Sequence, residues 1–158
     1  MATIKQSKIT PFLWFDGQVE EAVTLYTKVF KNSKVISLKK FGDPKAKTMT
    51  ATIMLEGQKF HALDGGPHFK FTPAISFFID CKTQKEVDHY WDKLSAGGEK
   101  SRCGWLKDKF GVSWQVVPET LGKYLSDKDK GKAMRVMNAM IKMDKIIIKD
   151  LDKAYKGK

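Results

Sequence analysis

Apolar positions along this chain follow two alternating patterns. Residues 9–16 form an apolar run that closes on Asp16, which predicts a strand. Over residues 18–30, Ala22, Val23, Tyr26 and Phe30 recur three or four apart, the spacing of one face of a helix. Lys31-Asn32-Ser33 ends it, and residues 35–41 predict a second strand before the turn residues Gly42-Asp43-Pro44. Met49, Ala51, Ile53 and Leu55 then alternate with less apolar neighbours, so residues 48–55 predict a third strand. Glu56-Gly57 predicts a tight hairpin into a fourth strand at 58–63, and Asp64-Gly65-Gly66-Pro67 is the strongest loop signal in the chain.

The same order then returns. A strand is predicted at 73–80, a helix at 83–94, a turn at Gly97-Gly98, and short strands at 100–103, 105–107 and 112–117, with Asp108-Lys109-Phe110-Gly111 joining the last two. Shifted by 64 positions without a gap, residues 10–17 fall on 74–81, Val23 on Val87, Tyr26 on Tyr90 and Phe30 on Leu94. Two copies of a βαβββ unit imply an α+β fold of paired modules, with any site where the copies meet. The expected organisation is one domain over 1–118, with modules at about 8–66 and 72–118, and a helical extension over 119–158.

Pro118 ends the repeat. In the extension, Ser126 reads as a helix N-cap, with Asp127 and Asp129 in the first turn. Ala133, Val136, Met137, Met140 and Ile141 form one apolar stripe, and Ile147, Leu151, Ala154 and Tyr155 another. Four of the seven Met residues lie here, where unbranched side chains fill gaps between a helical tail and a core.

Composition changes this picture little. With 158 residues, 42% of them hydrophobic, the chain holds enough apolar material for a packed interior. No apolar run approaches the roughly 20 residues of a membrane span, and Met1-Ala2-Thr3-Ile4-Lys5 lacks the basic-then-apolar order of a signal peptide. Cys81 and Cys103 form no CxxC pair. A cytoplasmic protein with free thiols and no membrane partner is expected. The net charge of +11 raises a nucleic-acid reading, but it is spread: 18 basic and 12 acidic residues over 1–117, 11 and 6 over 118–158. Scattered Lys with only two Arg describes a solvated surface, so no nucleic-acid partner is expected.

Four stretches carry a family resemblance. They are Ile9-Thr10-Pro11-Phe12-Leu13-Trp14-Phe15-Asp16-Gly17, Asp64-Gly65-Gly66-Pro67, Cys103-Gly104-Trp105-Leu106-Lys107-Asp108 and Gly111-Val112-Ser113-Trp114-Gln115-Val116-Val117-Pro118. Together they resemble the PhnB-like group of the vicinal oxygen chelate superfamily, alongside glyoxalases, bleomycin-resistance proteins and dioxygenases. The likeness is read over nearly the whole chain, tail included. The resemblance implies two βαβββ modules forming a cupped mixed sheet, and a homodimer. Members often carry the label 3-demethylubiquinone-9 3-methyltransferase. A methyltransferase of the usual class needs a Gly-rich turn after its first strand, and Asp16-Gly17-Gln18-Val19-Glu20 supplies none, so methyl transfer is not expected.

In the superfamily, four cup-facing positions commonly supply metal ligands. By the resemblance, Thr10 and Ala74 occupy the first pair. Counting four residues from the hairpin glycines Gly57 and Gly111 makes His61 and Gln115 the second pair. Thr10 is a poor ligand and Ala74 none, so no tightly bound metal or other cofactor is expected, His61 and Gln115 being weak candidates for a divalent ion. Strand parity places Phe12, Trp14, Ser76, Phe78, Ser113, Gln115 and Val117 on the cup side, and Leu13, Phe15, Phe77, Ile79, Trp114 and Val116 against the helices. Aromatic walls with a few polar groups suit a flat or apolar small molecule.

Other candidates are weaker. His68 and His89 read as surface residues. Asp16 and Asp80 fall at the strand-to-helix junctions, where they or a neighbour cap a helix, against the alternative of a carboxylate pair. Cys103 reads as a structural thiol rather than a reactive one. Two function classes follow: a protein that binds a small organic molecule in the cup, and a metal-dependent lyase, isomerase or dioxygenase of the glyoxalase type. The first is the expectation, with catalytic residues unassigned.

Overall fold

The computed structural model describes residues 7–43, 45 and 47–158. The first five residues and Pro44, used in the signal-peptide and turn readings, lie outside the described residues. The chain divides into two compact units, residues 1–71 and 72–158.

The first unit runs β1 (Phe12–Phe15), α1 (Val19–Val29), β2 (Ser33–Lys39), β3 (Thr50–Leu55) and β4 (Gln58–Asp64). Its four-stranded mixed sheet has the order β1-β4-β3-β2, with β1 parallel to β4 and the other pairs antiparallel. One sheet face buries Leu13, Phe15, Ala51, Ile53, Leu55, Phe60 and Ala62, and α1 contributes Val19, Ala22, Val23, Tyr26 and Val29 to this core. The opposite face carries Phe12, Trp14, Thr52 and His61 and has no helix of its own unit behind it.

The second unit repeats the plan: β5 (Phe77–Cys81), α2 (Gln84–Ser95), β6 (Glu99–Lys100), β7 (Trp105–Lys107) and β8 (Ser113–Pro118), in the order β5-β8-β7-β6. Ile79, Cys81, Leu106, Trp114 and Val116 are buried with Val87, Trp91 and Leu94 of α2. The parity of both modules is as expected. The residue-level repeat is not. His61 pairs with Phe12, and its hairpin counterpart Gln115 pairs with Phe78. Phe12 therefore corresponds to Phe78, two positions beyond the ungapped match. In the helices the buried sets correspond as Ala22 to Val87, Tyr26 to Trp91 and Val29 to Leu94, one position beyond it. A two-residue slip keeps every strand side chain on its face, so the apolar pattern tolerates it.

After β8 the chain forms α3 (Glu119–Leu125), α4 (Lys130–Met140) and α5 (Ile148–Lys156). Within the expected helical extension, no separate helix was read directly after Pro118, yet a proline at a helix N-terminus costs no hydrogen bond and starts a helix as readily as it ends a strand. Asp129, not Ser126, caps α4, accepting from the amides of Gly131 and Lys132. Val117, Leu121, Val136, Ile146 and Leu151 form a small buried core that ties the helices to the end of β8. Cys103, at φ 59, and Gly104 donate their amides to Met143 and Asp144, clamping the α4–α5 connection to the sheet. A side chain on Gly104 would stand 2.6 Å from the Val116 carbonyl oxygen. Among the described residues no helix is long and apolar enough to cross a membrane.

Candidate functional site

The sheet faces opposite α1 and α2 hold the candidate side chains. On the first, β4 places His61 between Phe12 and Thr52, because paired residues of neighbouring strands share a face. His61 Nδ1 and Thr52 Oγ1 share a hydrogen bond of 3.0 Å, and the ring of Phe12, a residue 58% exposed, lies 5.7 Å from the imidazole. The partner at Nδ1 leaves Nε2 as the imidazole atom directed away from the sheet's own bonding.

Trp14 shares this face but is engaged by its own loop. Its indole N–H donates to the Gly66 carbonyl at 2.9 Å, and Phe69 meets the ring edge-on at 5.0 Å. A side chain on Gly65 would fall 2.1 Å from the indole. Trp14 thus anchors the Gly65-Gly66 loop. Sequence reading missed this, although an indole N–H beside a Gly-rich loop is a signal for it.

On the second face, Gln115 lies between Phe78 and Trp105, and its Nε2 donates to Ser76 Oγ at 2.9 Å. Phe78 is 58% exposed, as Phe12 is. The strand register makes Ser76, not Ala74, the counterpart of Thr10. Ser113 is buried and its hydroxyl has no hydrogen-bond partner among the described residues. A buried unpartnered hydroxyl costs about 1–3 kcal/mol and is accounted for when something polar reaches it.

The positions implied as metal ligands thus hold Thr10, His61, Ser76 and Gln115. One imidazole, two hydroxyls and an amide do not fit a tightly held zinc-type ion, whose sites call for three or four imidazole, thiolate or carboxylate donors. Among the described residues no group of three or more His, Cys, Asp or Glu side chains is placed to hold a metal.

The remaining candidates have structural partners. Asp16 is exposed and does not cap α1; Asp64, at the end of β4, accepts the Gln18 and Val19 amides at 2.9 and 3.1 Å. Asp80 does not cap α2 either, since Thr83 accepts the Glu86 amide at 3.2 Å. His68 is exposed, and His89 is half-buried against Tyr90. Cys81 is fully buried, and burial, with Glu86 and Asp80 nearby, pushes its thiol up to about 12. The half-buried Cys103 thiol lies 3.8 Å from the Met140 carbonyl. One important residue was overlooked: the buried Asp108 accepts from the Phe110 and Val112 amides and from the Trp114 indole at 2.9, 3.0 and 2.9 Å.

A family model described as 3-demethylubiquinone-9 3-methyltransferase matches residues 7–117. The match stops before the helical tail, which narrows the likeness read from the sequence. A solved PhnB protein of Bacillus cereus, described as a 3-demethylubiquinone-9 3-methyltransferase, is 36% identical, with 71% of this chain and 99% of that one covered at a TM-score of 0.65. A Pseudomonas aeruginosa protein is 22% identical over 72% and 98% of the chains, TM-score 0.63. The fosfomycin resistance protein FosX of Listeria monocytogenes is 15% identical over 78% and 99%, TM-score 0.56, a likeness of fold alone. No curated protein matches. The chain belongs to the PhnB-like 3-demethylubiquinone-9 3-methyltransferase family, and its fold is the glyoxalase type shared with FosX.

Proposed function

We propose that this PhnB-like chain binds a small organic molecule against the sheet faces that carry His61 and Gln115, in the cup the family resemblance implies, without a tightly held metal. The observation that carries the reading is the pairing of an oriented polar group with an exposed aromatic on each face: His61 with Phe12, and Gln115 with Phe78. Holding a large ring half in solvent forgoes its burial energy, a cost expected where a ligand covers it. On each face the polar side chain, His61 or Gln115, orients a ligand, and on the second face Ser113 offers a further hydroxyl. Trp14 supports the wall through its loop. The family label names a methyl transfer, but neither βα junction carries the Gly-rich turn that lets backbone approach a nucleotide-type cofactor.

The test is titration of the labelled protein with 2-naphthol and hydroquinone, followed by backbone amide shifts. Saturable shifts are expected around residues 12, 61, 78 and 115. His61→Ala and Gln115→Ala should each weaken binding about fivefold to tenfold, the worth of one hydrogen bond. Shifts that ignore both substitutions, or a stoichiometric metal that His61→Ala loses, would overturn the reading. The reading extends to a cytoplasmic homodimer, and light scattering showing a monomer at micromolar concentration would remove the dimer from it.

A further inference from the structure

We propose that the hollow between α3 and the face of the second sheet that carries Phe78 and Val117 is a subsite for an organic cation, a compact apolar group bearing an ammonium. The hollow measures about 450 Å³, within the range of small-molecule sites. Phe78 and Val117 of the sheet, with Pro118, Leu121 and Leu125, form an apolar wall.

Gly122 points to a ligand independently. It sits in the middle of α3 and lines the hollow. It has no left-handed φ, and a side chain there would meet nothing within 4 Å. Neither backbone conformation nor packing therefore asks for glycine, a poor residue for a helix interior. What glycine preserves is open space.

Charge names the occupant. Asp80 and Glu119 also line the hollow, and among the described residues neither carboxylate has a hydrogen bond or ion pair. None of the chain's 29 Lys and Arg side chains lines the hollow. Two unpaired carboxylates beside the exposed face of Phe78 attract an ammonium by Coulomb and cation–π forces together. An anion would be repelled, and a neutral molecule would leave both carboxylates unused.

The subsite rests on the proposed small-molecule role for the second sheet face, but it uses α3, outside the family match. Its test is therefore separate. The full labelled chain is titrated with benzyltrimethylammonium, benzyl alcohol and phenylacetate, and amide shifts are followed. The cation should give saturable shifts confined to residues 78–80 and 117–125, at least about fivefold tighter than the other two probes. An Asp80→Asn, Glu119→Gln double variant should lose about that factor for the cation and leave benzyl alcohol unchanged. Gly122→Trp should remove binding, and Gly122→Ala should raise the Tm and retain it, which shows that α3 tolerates a side chain. Where Gly122→Trp does not fold, Gly122→Leu replaces it. Absent or displaced shifts, equal binding of the three probes, or cation binding untouched by filling position 122 would each overturn the subsite. Failure of the broader reading shows elsewhere, as naphthol binding indifferent to His61→Ala and Gln115→Ala.

Discussion

In the first module, the corner before the last strand is the two-residue turn Glu56-Gly57, with φ of 45° and 84°. In the second, the same corner is the longer loop Asp108-Lys109-Phe110-Gly111, wound around the buried Asp108 carboxylate and its three donors. One corner is made by backbone conformation and the other by a side chain. The helix starts differ in the same way. Asp64 reaches α1 from a distant strand, whereas Thr83 caps α2 from the adjacent residue. The strand register sets Asp64 against Pro118, so the position that caps a helix in one module launches the tail in the other. A shared topology thus requires corners and caps but leaves their chemistry free.

The largest expected break in this comparison is Asp108→Ala. It strands two amides and an indole N–H in the interior and should cost about 3 kcal/mol in urea unfolding. Glu56→Ala in the first corner, where among the described residues the carboxylate bonds only exposed Asn32, should cost under about 1 kcal/mol. Equal losses would mean the two corners are held alike. Next come the caps: Asp64→Ala should cost about 1–2 kcal/mol and Thr83→Ala about 1, both read from denaturant midpoints. A neutral Asp64→Ala would remove the long-range cap from the account.

The smallest effect concerns a tether that only the second module has. Asp88 on α2 accepts from Gln84 and Lys145, the latter in the α4–α5 connection, at 3.1 Å each. The Gln84 hydrogen bond first, then Lys145, holds the Asp88 carboxyl below its ordinary value. Its contribution is therefore present above the unfolded carboxylate range and is lost as pH falls through the lower folded value. Asp88→Asn should flatten the acid limb of stability between about pH 5 and 2 by less than about 1 kcal/mol, and added salt should shrink the difference. An unchanged acid limb would end the tether.

Much of this was legible along the chain because burial writes itself as period. Alternation in residues 48–55 and the three-or-four spacing of Ala22, Tyr26 and Phe30 report which face is covered, whatever covers it. That His61 and Gln115 occupy counterpart strand positions was legible too, through the positive-φ glycines four residues before them. The α3 helix was not, since seven residues after a proline carry too little period to register.

By itself, then, the sequence determined the two βαβββ modules, the inward and outward sides of their strands, and the presence of a helical tail. These follow from local propensity and solvent preference, which each residue expresses without knowing its distant neighbours. Only the tertiary structure decided the two-residue slip that makes Ser76 the partner of Gln115, the capping of α1 by Asp64, the burial of Asp108 and the hollow beside Gly122. Each depends on groups that lie far apart along the chain or on space no residue fills. Period constrains side-chain facing to the nearest two residues, and strand hydrogen bonds choose among the registers that remain.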